Sequence, residues 1–459
     1  MSLLNIGVSA LTTTQASLAT TSHNISNVNT EGYSRQRTEH ATQLANFTGA
    51  GYIGSGVTVG SIERIFDKFL SEQVRTYTSQ SSQEETFLIF SQQVDDLLGS
   101  SELGLNSGIE ELFNAVHEVS NDPTSTAARQ VMLTQADLLA NRFNTIDQQL
   151  TEFDQQIDQT LSVAIKDINN ISNGIAALNE AIVASTSSSS TAPAPNDLLD
   201  QRDQLVNELA TLVSVDTVIE DNGSMSVFIG NGQALVVGGT QIDLTQLADL
   251  STTPPRVAIG YGPSSINVTA QLSGGLIGGA VQVRADIIDS TRTDLDTLAS
   301  AIVTSFNTVQ TAGIDLDGNT GTNLFDPTGT TAATMNLILT DPRDIAASSV
   351  ANSGEGNNVN ALAMADLQTT NTMAAGTQTF ADNYGVLVAN VATRTHQADV
   401  SQQTQQGLLD QVKLRYDSVS GVNLDEEAAN LIKFQQAYQA ASQIITVSNT
   451  IFNAIINAI

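Results

Sequence analysis

The stretch SGVNLDEEAANLIKFQQAYQAASQIITVSNTIFNAIINAI, Ser420 to Ile459, carries the pattern on which the fold turns. Asn423 is placed to cap a helix, Glu426 stands three residues on, and Asp425 to Glu427 put negative charge at the positive end of the helix dipole. No Pro or Gly follows as far as Ile459, so the run predicts one helix of roughly 50 Å. Its apolar residues fall in two rows. Leu424, Ala428, Leu431, Tyr438, Ile445, Phe452, Ile456 and Ile459 form one at alternating spacings of three and four; Phe434, Ala437, Ala441, Ile444, Ile451 and Ile455 form the other. A helix with two apolar faces needs two neighbours.

One neighbour is legible at the other end of the chain. Leu4, Val8, Leu11, Leu18 and Ile25 repeat with the same spacing, interrupted by Gln15 and Ser22, and predict a helix of roughly 35 Å with a single apolar stripe. Both ends lack ionic side chains: no Asp, Glu, Lys or Arg occurs in residues 1–30 or 434–459, although the 459-residue chain holds 48 Asp+Glu against 17 Lys+Arg, a net charge of −31. Water-exposed helices are normally laced with charge, so both ends call for a dry partner. A mutual pair uses one face of the C-terminal helix, and the second face is satisfied if copies of the chain pack their terminal helices together. The stripes also fit an intramolecular pair that closes a domain, or a membrane-inserting pair, although no basic face accompanies the apolar one.

Net charge makes nucleic acid and acidic membranes poor partners. Without cysteine there is neither a disulfide framework nor a thiolate site. Residues 1–30 hold no basic n-region and no continuous apolar core, so they do not read as a cleaved signal peptide. Polar residues interrupt the most apolar windows, and membrane insertion is not expected.

Between the ends the length suggests two to four domains. One long helix is expected from Ser61 to Gly99, a second from Ile109 to Val119, a third from Thr124 to about Val183, and another from Asp197 to Val213. Ser185 to Pro195 reads as a linker. From Val215 to Val283, Gly, Val, Ile and Thr with Asp221-Asn222-Gly223 and Pro254-Pro255 predict short strands in one compact β domain. Helix resumes from Arg284 to Gln310 and again from Thr372 to Ser418. The expected fold class is mainly α with an inserted β domain. Terminal helices (1–35 and 420–459) form a coiled-coil-like pair, 36–213 and 284–419 a split α-helical rod, and 214–283 a small β-rich outer domain.

Candidate chemical sites are thin. His117-Glu118 begins like a zinc-protease helix, but Asn121 occupies the second ligand position. Asp315, Asp317 and Asn319 start like a calcium loop, which Gly318 and Thr320 break; a tight turn is the better reading. Asp197, Asp200 and Asp203 recur every three residues around Arg202 and read as a solvated or rod-packing face. Gly54, Gly56 and Gly60, and Gly274, Gly275, Gly278 and Gly279, read as turns or close-packing positions rather than phosphate cradles. The four histidines suggest no nucleophile-base pair. No enzyme activity, cofactor or metal is expected.

Gly32, Tyr33, Arg35 and Arg37 mark the passage from the neutral helix to the charged body and read as a turn or a hinge. Arg35, Arg37, Arg64, Lys68 and Arg75 concentrate basic charge there, for pairing with acidic patches on neighbouring copies or within the chain.

NISNVNTEGYSRQ, Asn24 to Gln36, is similar to the segment that follows the first helix in the rod, hook and hook-associated proteins of the bacterial flagellum. GSGVTVGSIERIFDKFL (Gly54 to Leu70), NDLLDQRDQLVNEL (Asn196 to Leu209) and GIDLDGNTGTNLF (Gly313 to Phe325) resemble the hook-associated protein 1 family in particular, and Ser420 to Ile445 resembles its C-terminal helix. The middle is shorter than in larger members, with room for one β domain.

The resemblance implies a structural, motility-related role: an adaptor ring between hook and filament, built through the terminal helices. Its implied partners are further copies of itself, the hook protein, the second junction protein and an export chaperone on the C-terminal helix. It also implies export, unfolded and without a cleaved signal, through the flagellar type III apparatus to an extracellular location. The terminal helices are then expected to be disordered in the monomer and to fold on assembly. Another axial protein, such as the second junction protein, a hook subunit or flagellin, and a secreted membrane-acting filament protein are the alternatives.

Overall fold

The computed structural model describes residues 3–47, 49, 51–100, 104–187, 195–252, 255–350 and 356–457. Helix α1 (Leu3–Ser26) is followed by a ladder of β1 (Gln36–Thr42), β2 (Asn46–Phe47), β3 (Tyr52–Ile53) and β4 (Val57–Arg64). β1 pairs antiparallel with β4, and β2 with β3. Then come α2 (Lys68–Gly99), α3 (Leu105–Asn121), α4 (Thr126–Ser187) and α5 (Asn196–Leu212).

The second β region holds a four-stranded antiparallel sheet of β5 (Val215–Ile219), β6 (Met225–Ile229), β7 (Gln233–Val237) and β8 (Thr240–Gln241). Beside it lie β9 (Leu244–Asp249), β10 (Arg256–Tyr261) and β11 (Ile266–Asn267), with β10 in the middle. The chain returns through α6 (Gly275–Val283), a π-helical turn (Arg284–Asp289), α7 (Ser290–Ala312), α8 (Val359–Asp366), α9 (Phe380–Ser420) and α10 (Leu424–Ile456).

The spine is α4. Its 62 residues extend about 93 Å at 1.5 Å per residue. Phe143, Ile146, Leu150, Ile157, Leu161, Ile165, Ile168 and Ile175 are buried along it at helical spacing. Both sheets lean on its far half. Asn169 donates through Nδ2 to Leu244 O at 2.8 Å, and Asn179 Nδ2 donates to Met225 O and to Gly238 O at 2.8 Å each. Val227, Ile229, Leu235, Val236, Leu244 and Ile259 join the same buried cluster as α4, so the sheets share the helical core instead of closing one of their own. A buried ionic network fastens β10: Arg256 Nε lies 2.5 Å from Asp154, and Arg284 Nε lies 2.7 Å from the same carboxylate.

α2 and α9 pack antiparallel. Ser81 Oγ donates to Gln406 Oε1 at 3.0 Å near one end, and Tyr384 OH donates to Leu98 O at 2.8 Å near the other. The body is thus a mainly helical rod with a β region inserted between its outgoing and returning strands of chain.

Three local expectations are corrected. Residues 36–64, expected to begin the helical rod, form a hairpin ladder, and Ser61 to Arg64 are strand. Helix starts only at Lys68, where Asp67 Oδ1 accepts from Leu70 N at 3.1 Å. Gly275–Val283 is helix, although it was assigned to the β segment. Its glycines are close-packing positions: a Cβ on Gly279 would sit 2.3 Å from Gln83 O of α2, so only glycine lets the two helices touch. The long helix expected from Thr372 begins at Phe380, because Thr379 and Asp382 form a capping box there. Of the linker expected over Ser185–Pro195, residues 188–194 lie outside the described residues, and Ser185 to Ser187 continue α4.

Candidate assembly interface

α1 and α10 lie side by side and antiparallel. A Cβ on Gly7 would come within 2.9 Å of Ile445 Cγ1 and 3.2 Å of Ile444 Cγ2. At the other end Ser17, Thr20 and Thr21 line a groove with Glu427, Asn430 and Phe434. Among the residues expected to form the interface, Leu4, Leu11, Leu18, Ile25, Leu431, Phe434 and Ile445 are half-buried. Val8, Leu424, Tyr438, Ile444, Ile451, Phe452, Ile455 and Ile456 are exposed, Phe452 at 62%. Ile459, of the same row, lies outside the described residues. Ala441 is the one apolar side chain of α10 that the chain buries among the described residues. The apolar side chains left exposed come from both rows, Leu424, Tyr438, Phe452 and Ile456 from one and Ile444, Ile451 and Ile455 from the other, and nothing among the described residues covers them fully.

The buried face of α1 is polar, which its apolar stripe did not announce. Gly7, Thr13, Ser17, Thr20, Thr21 and Asn24 are buried there. Ser17 Oγ is 3.0 Å from His40 Nε2, and Thr38 Oγ1 donates to Thr20 Oγ1 at 3.1 Å, so two hydroxyls of the row find partners on β1. Asn24 serves as a surrogate strand residue. Its Nδ2 donates to Gln36 O at 2.9 Å while its Oδ1 accepts from Gln36 N at 3.0 Å and from Tyr33 OH at 2.7 Å.

The Gly32–Arg37 segment is held by a clasp. Gly32 takes φ +76°, and a Cβ there would meet Gln204 Oε1 at 2.9 Å. Ser34 N donates to Asp200 Oδ2 at 3.0 Å; Arg35 N donates to Ser420 O at 2.8 Å; Ile65 N donates to Arg35 O at 2.7 Å. Arg64 Nη1 stands 2.9 Å from Asp200 Oδ1 and 2.6 Å from Asp203 Oδ2, all three side chains being nearly buried. Four separate parts of the sequence thus meet at one point: the end of α1, the end of β4, α5 and the α9–α10 corner. Burial, reinforced by Asp197, Asp200 and Glu427, holds the Tyr33 phenol well above its ordinary range.

Of the two readings of the acidic repeat of α5, the packing one holds for Asp200 and Asp203, buried partners of Arg64, and the solvated one for Asp197, which stays exposed. Arg202 is buried too, donating to Asn179 Oδ1 at 3.0 Å and Gly223 O at 2.8 Å. The basic cluster finds partners within the chain. Arg35 pairs with Glu426, Arg37 with Glu39 and Lys68 with Glu72, and Arg75 donates to Ser71 Oγ and Thr217 Oγ1. Arg64, Asp200 and Asp203 were legible one by one but not as partners; all three lie inside two of the family-like segments.

Burial also holds the Asp200 carboxyl above the usual carboxylate range, against the opposing pull of the Ser34 N–H and of Arg64. Between the ordinary value of about 3.9 and that raised value the folded chain binds more proton than the unfolded one. The group therefore adds stability as pH falls through that window and loses it as pH rises. Asp200→Asn is expected to flatten this part of the pH dependence, read as urea midpoints at about pH 4 and pH 6; an unchanged slope would refute the assignment.

The other side chains singled out in the sequence are held in turns and helix contacts. Asp315 Oδ1 accepts from Asp317 N at 2.9 Å and Asn319 N at 2.8 Å, closing a turn that Arg343 ties down at Asp317. His117 Nε2 lies 3.0 Å from Gln368 Oε1. Among the described residues no cluster of His, Cys, Asp and Glu could hold a metal ion, and no helix is long and apolar enough to cross a membrane.

Residues 91–325 match the flagellar hook-associated protein FlgK helical domain, 4–33 the flagella basal body rod protein domain, and 415–458 the C-terminal domain of the basal body rod FlgEFG proteins. Flagellar hook-associated protein 1 of Salmonella typhimurium is 30% identical over 99% of both chains. The chain belongs to the hook-associated protein 1 family. The protein of the same name from Escherichia coli is 29% identical over 99% of both chains, and that of Bacillus subtilis 28% over 98% and 96%. The Salmonella alignment runs to 552 positions against 459 residues here, so that relative carries segments this chain lacks. The structure of the flagellar hook junction protein FlgK from Burkholderia pseudomallei superposes with a TM-score of 0.69, covering 76% of this chain and all of that one at 20% identity, which supports the fold. As a member of this family, the chain is a structural component of the bacterial flagellum; the two rod-type matches fall on α1 and α10, the helices with the uncovered face.

Proposed function

We propose that the chain is the adaptor between hook and filament, assembling as a ring of copies whose terminal helices meet through the exposed face of α10. The single observation that carries this reading is that Tyr438, Ile444, Ile451, Phe452, Ile455 and Ile456 remain exposed after α1 has taken its place. Such a face on an acidic chain favours neighbours that are equally free of charge. In this reading residues 1–35 and 420–459 are the polymerisation domain with the 36–64 ladder laid along it, the helices of 68–213 and 275–419 the rod, and the strands of 215–267 the outer region. Gly32, Tyr33, Arg35 and Arg37 form the joint that sets the angle between terminal pair and body.

The specific partners follow from the same role: the hook protein on one side, the second junction protein on the other, and before assembly a chaperone covering α10 during unfolded export without a cleaved signal to the cell exterior. Long helices with an uncovered apolar face are marginal alone, so the turns of α10 beyond Ile445 gain helix on assembly. Far-ultraviolet circular dichroism of isolated and assembled chains is expected to show that gain; equal helix content would count against it. The function itself is tested by electron microscopy of flagella from cells lacking the chain, where hooks without attached filaments are expected and normal filaments would refute the role.

A further inference from the structure

Residues 41–62, ATQLANFTGAGYIGSGVTVGSI, contain no Asp, Glu, Lys or Arg in a chain of net charge −31. Two other long internal charge-free stretches are accounted for by burial: residues 222–242 and 257–283 deliver Val227, Ile229, Val236, Ile259 and Ile277 to the core. The described residues of the hairpin tip deliver nothing to the core. Leu44 is 93% exposed, Tyr52 77%, Phe47 67% and Ile53 56%. The rings of Phe47 and Tyr52 face each other across β2 and β3 with centroids 5.4 Å apart. Isolated apolar residues on a surface are ordinary, but four on one uncharged tip, including an aromatic pair, make a patch suited to a partner.

Position says which partner. The ladder lies along α1, with Thr38 on Thr20, His40 on Ser17, and Val57 N donating to Ser9 Oγ at 3.4 Å. It therefore runs toward the amino end of α1, and its tip continues past Gly56, whose Cβ would touch Ser9. At that same end Gly7 meets Ile445, and Ile451, Phe452 and Ile455 of α10 stand exposed. An uncharged tip and an uncharged helix face thus occupy one end of the molecule, continuous with the surface proposed to join copies.

We propose that the hairpin tip of one copy packs on the α10 face of the next, with Phe47 and Tyr52 set against Ile444, Ile451 and Ile455. The inference rests on the reading that terminal helices join copies, and names a second element of that contact. Like-charged bodies repel over about a Debye length, so strongly acidic copies can approach closely only through surfaces such as these two. The contact is head-to-tail: each copy offers one tip and one face. Repeated in one direction, it builds a ring or a helical array.

The test is made on flagella from cells producing the full chain. Phe47→Ser with Tyr52→Ser is expected to lower incorporation at least tenfold, while thermal unfolding of the purified monomer is unchanged because neither side chain packs on its own body. With p-benzoylphenylalanine replacing Tyr52, irradiation is expected to give a product of twice the chain mass, with the crosslink mapped by mass spectrometry to residues 444–456 of a second copy. A crosslink to a different polypeptide, to the tip of another copy or to no polypeptide overturns the inference. So does normal incorporation of the tip variant, and the control Ile451→Asp with Ile455→Asp then separates the two readings. If that control is excluded from flagella, the terminal-helix reading stands alone; if it too is incorporated normally, both fall.

Discussion

Arg64→Met is expected to cost about 3–5 kcal/mol at neutral pH, because it leaves two buried carboxylates without their cation. Arg64 Nη1 is the shared partner of Asp200 and Asp203, at 2.9 and 2.6 Å. Asp200 also holds the Ser34 N–H, the residue next to the Arg35 that bonds the α9–α10 corner. Loss of the cation is therefore expected to loosen the terminal helices before the rod, whose core around α4 contains none of these groups. Urea unfolding gives the total cost, and amide exchange in α1 against α4 shows where it falls. Adding Asp200→Asn and Asp203→Leu to Arg64→Met should recover a large part of the loss, since removing a whole buried ionic group is far cheaper than removing one member. Equal exchange in both helices, or no recovery in the triple variant, would mean that the clasp is not what ties the ends to the body.

Ile451→Asp with Ile455→Asp should have the opposite signature: no effect on the monomer and a severe effect on assembly. Both side chains are exposed on α10, so carboxylates there remain solvated in an isolated chain. In a dry contact between copies each must lose its water without a partner. A central contact residue contributes about 2 kcal/mol or more, and two of them correspond to roughly a thousandfold loss of association. The chain should then be recovered from the culture medium, not from flagella. A monomer that unfolds at lower temperature would show that α10 is sheltered by its own body, contrary to the reading of its second face.

Much of the helical framework is legible in residue periodicity. α3, α4, α5, α9 and α10 were each anticipated to within a few residues at one end or both, because a helix is stabilised by neighbours three and four positions away. Strands β1 and β4 were not, since Gln36 pairs with Arg64 and Thr42 with Val57, and such pairing leaves little trace in local spacing. The helical spacing of Ile62, Ile65, Phe66 and Phe69 even pointed the other way. The same limit hid the clasp. Asp200 and Asp203 look like any acidic helix face until Arg64, more than a hundred positions earlier, is folded against them.

The uncharged ends, the double stripe of α10 and the family-like segments belong to the sequence alone, because they depend on composition and on short-range order. Tertiary structure alone decided that α1 packs on both rows of α10, on Ile445 of one and Ile444 of the other, that the hidden face of α1 is mostly hydroxyls, that the glycines of α6 let a helix touch α2, and that an apolar hairpin tip is left in water. The physical reason is that burial of a side chain is a property of what reaches it from elsewhere in the chain. Local sequence reports a side chain's chemistry and its place on a helix or strand, and only the fold reports its neighbours.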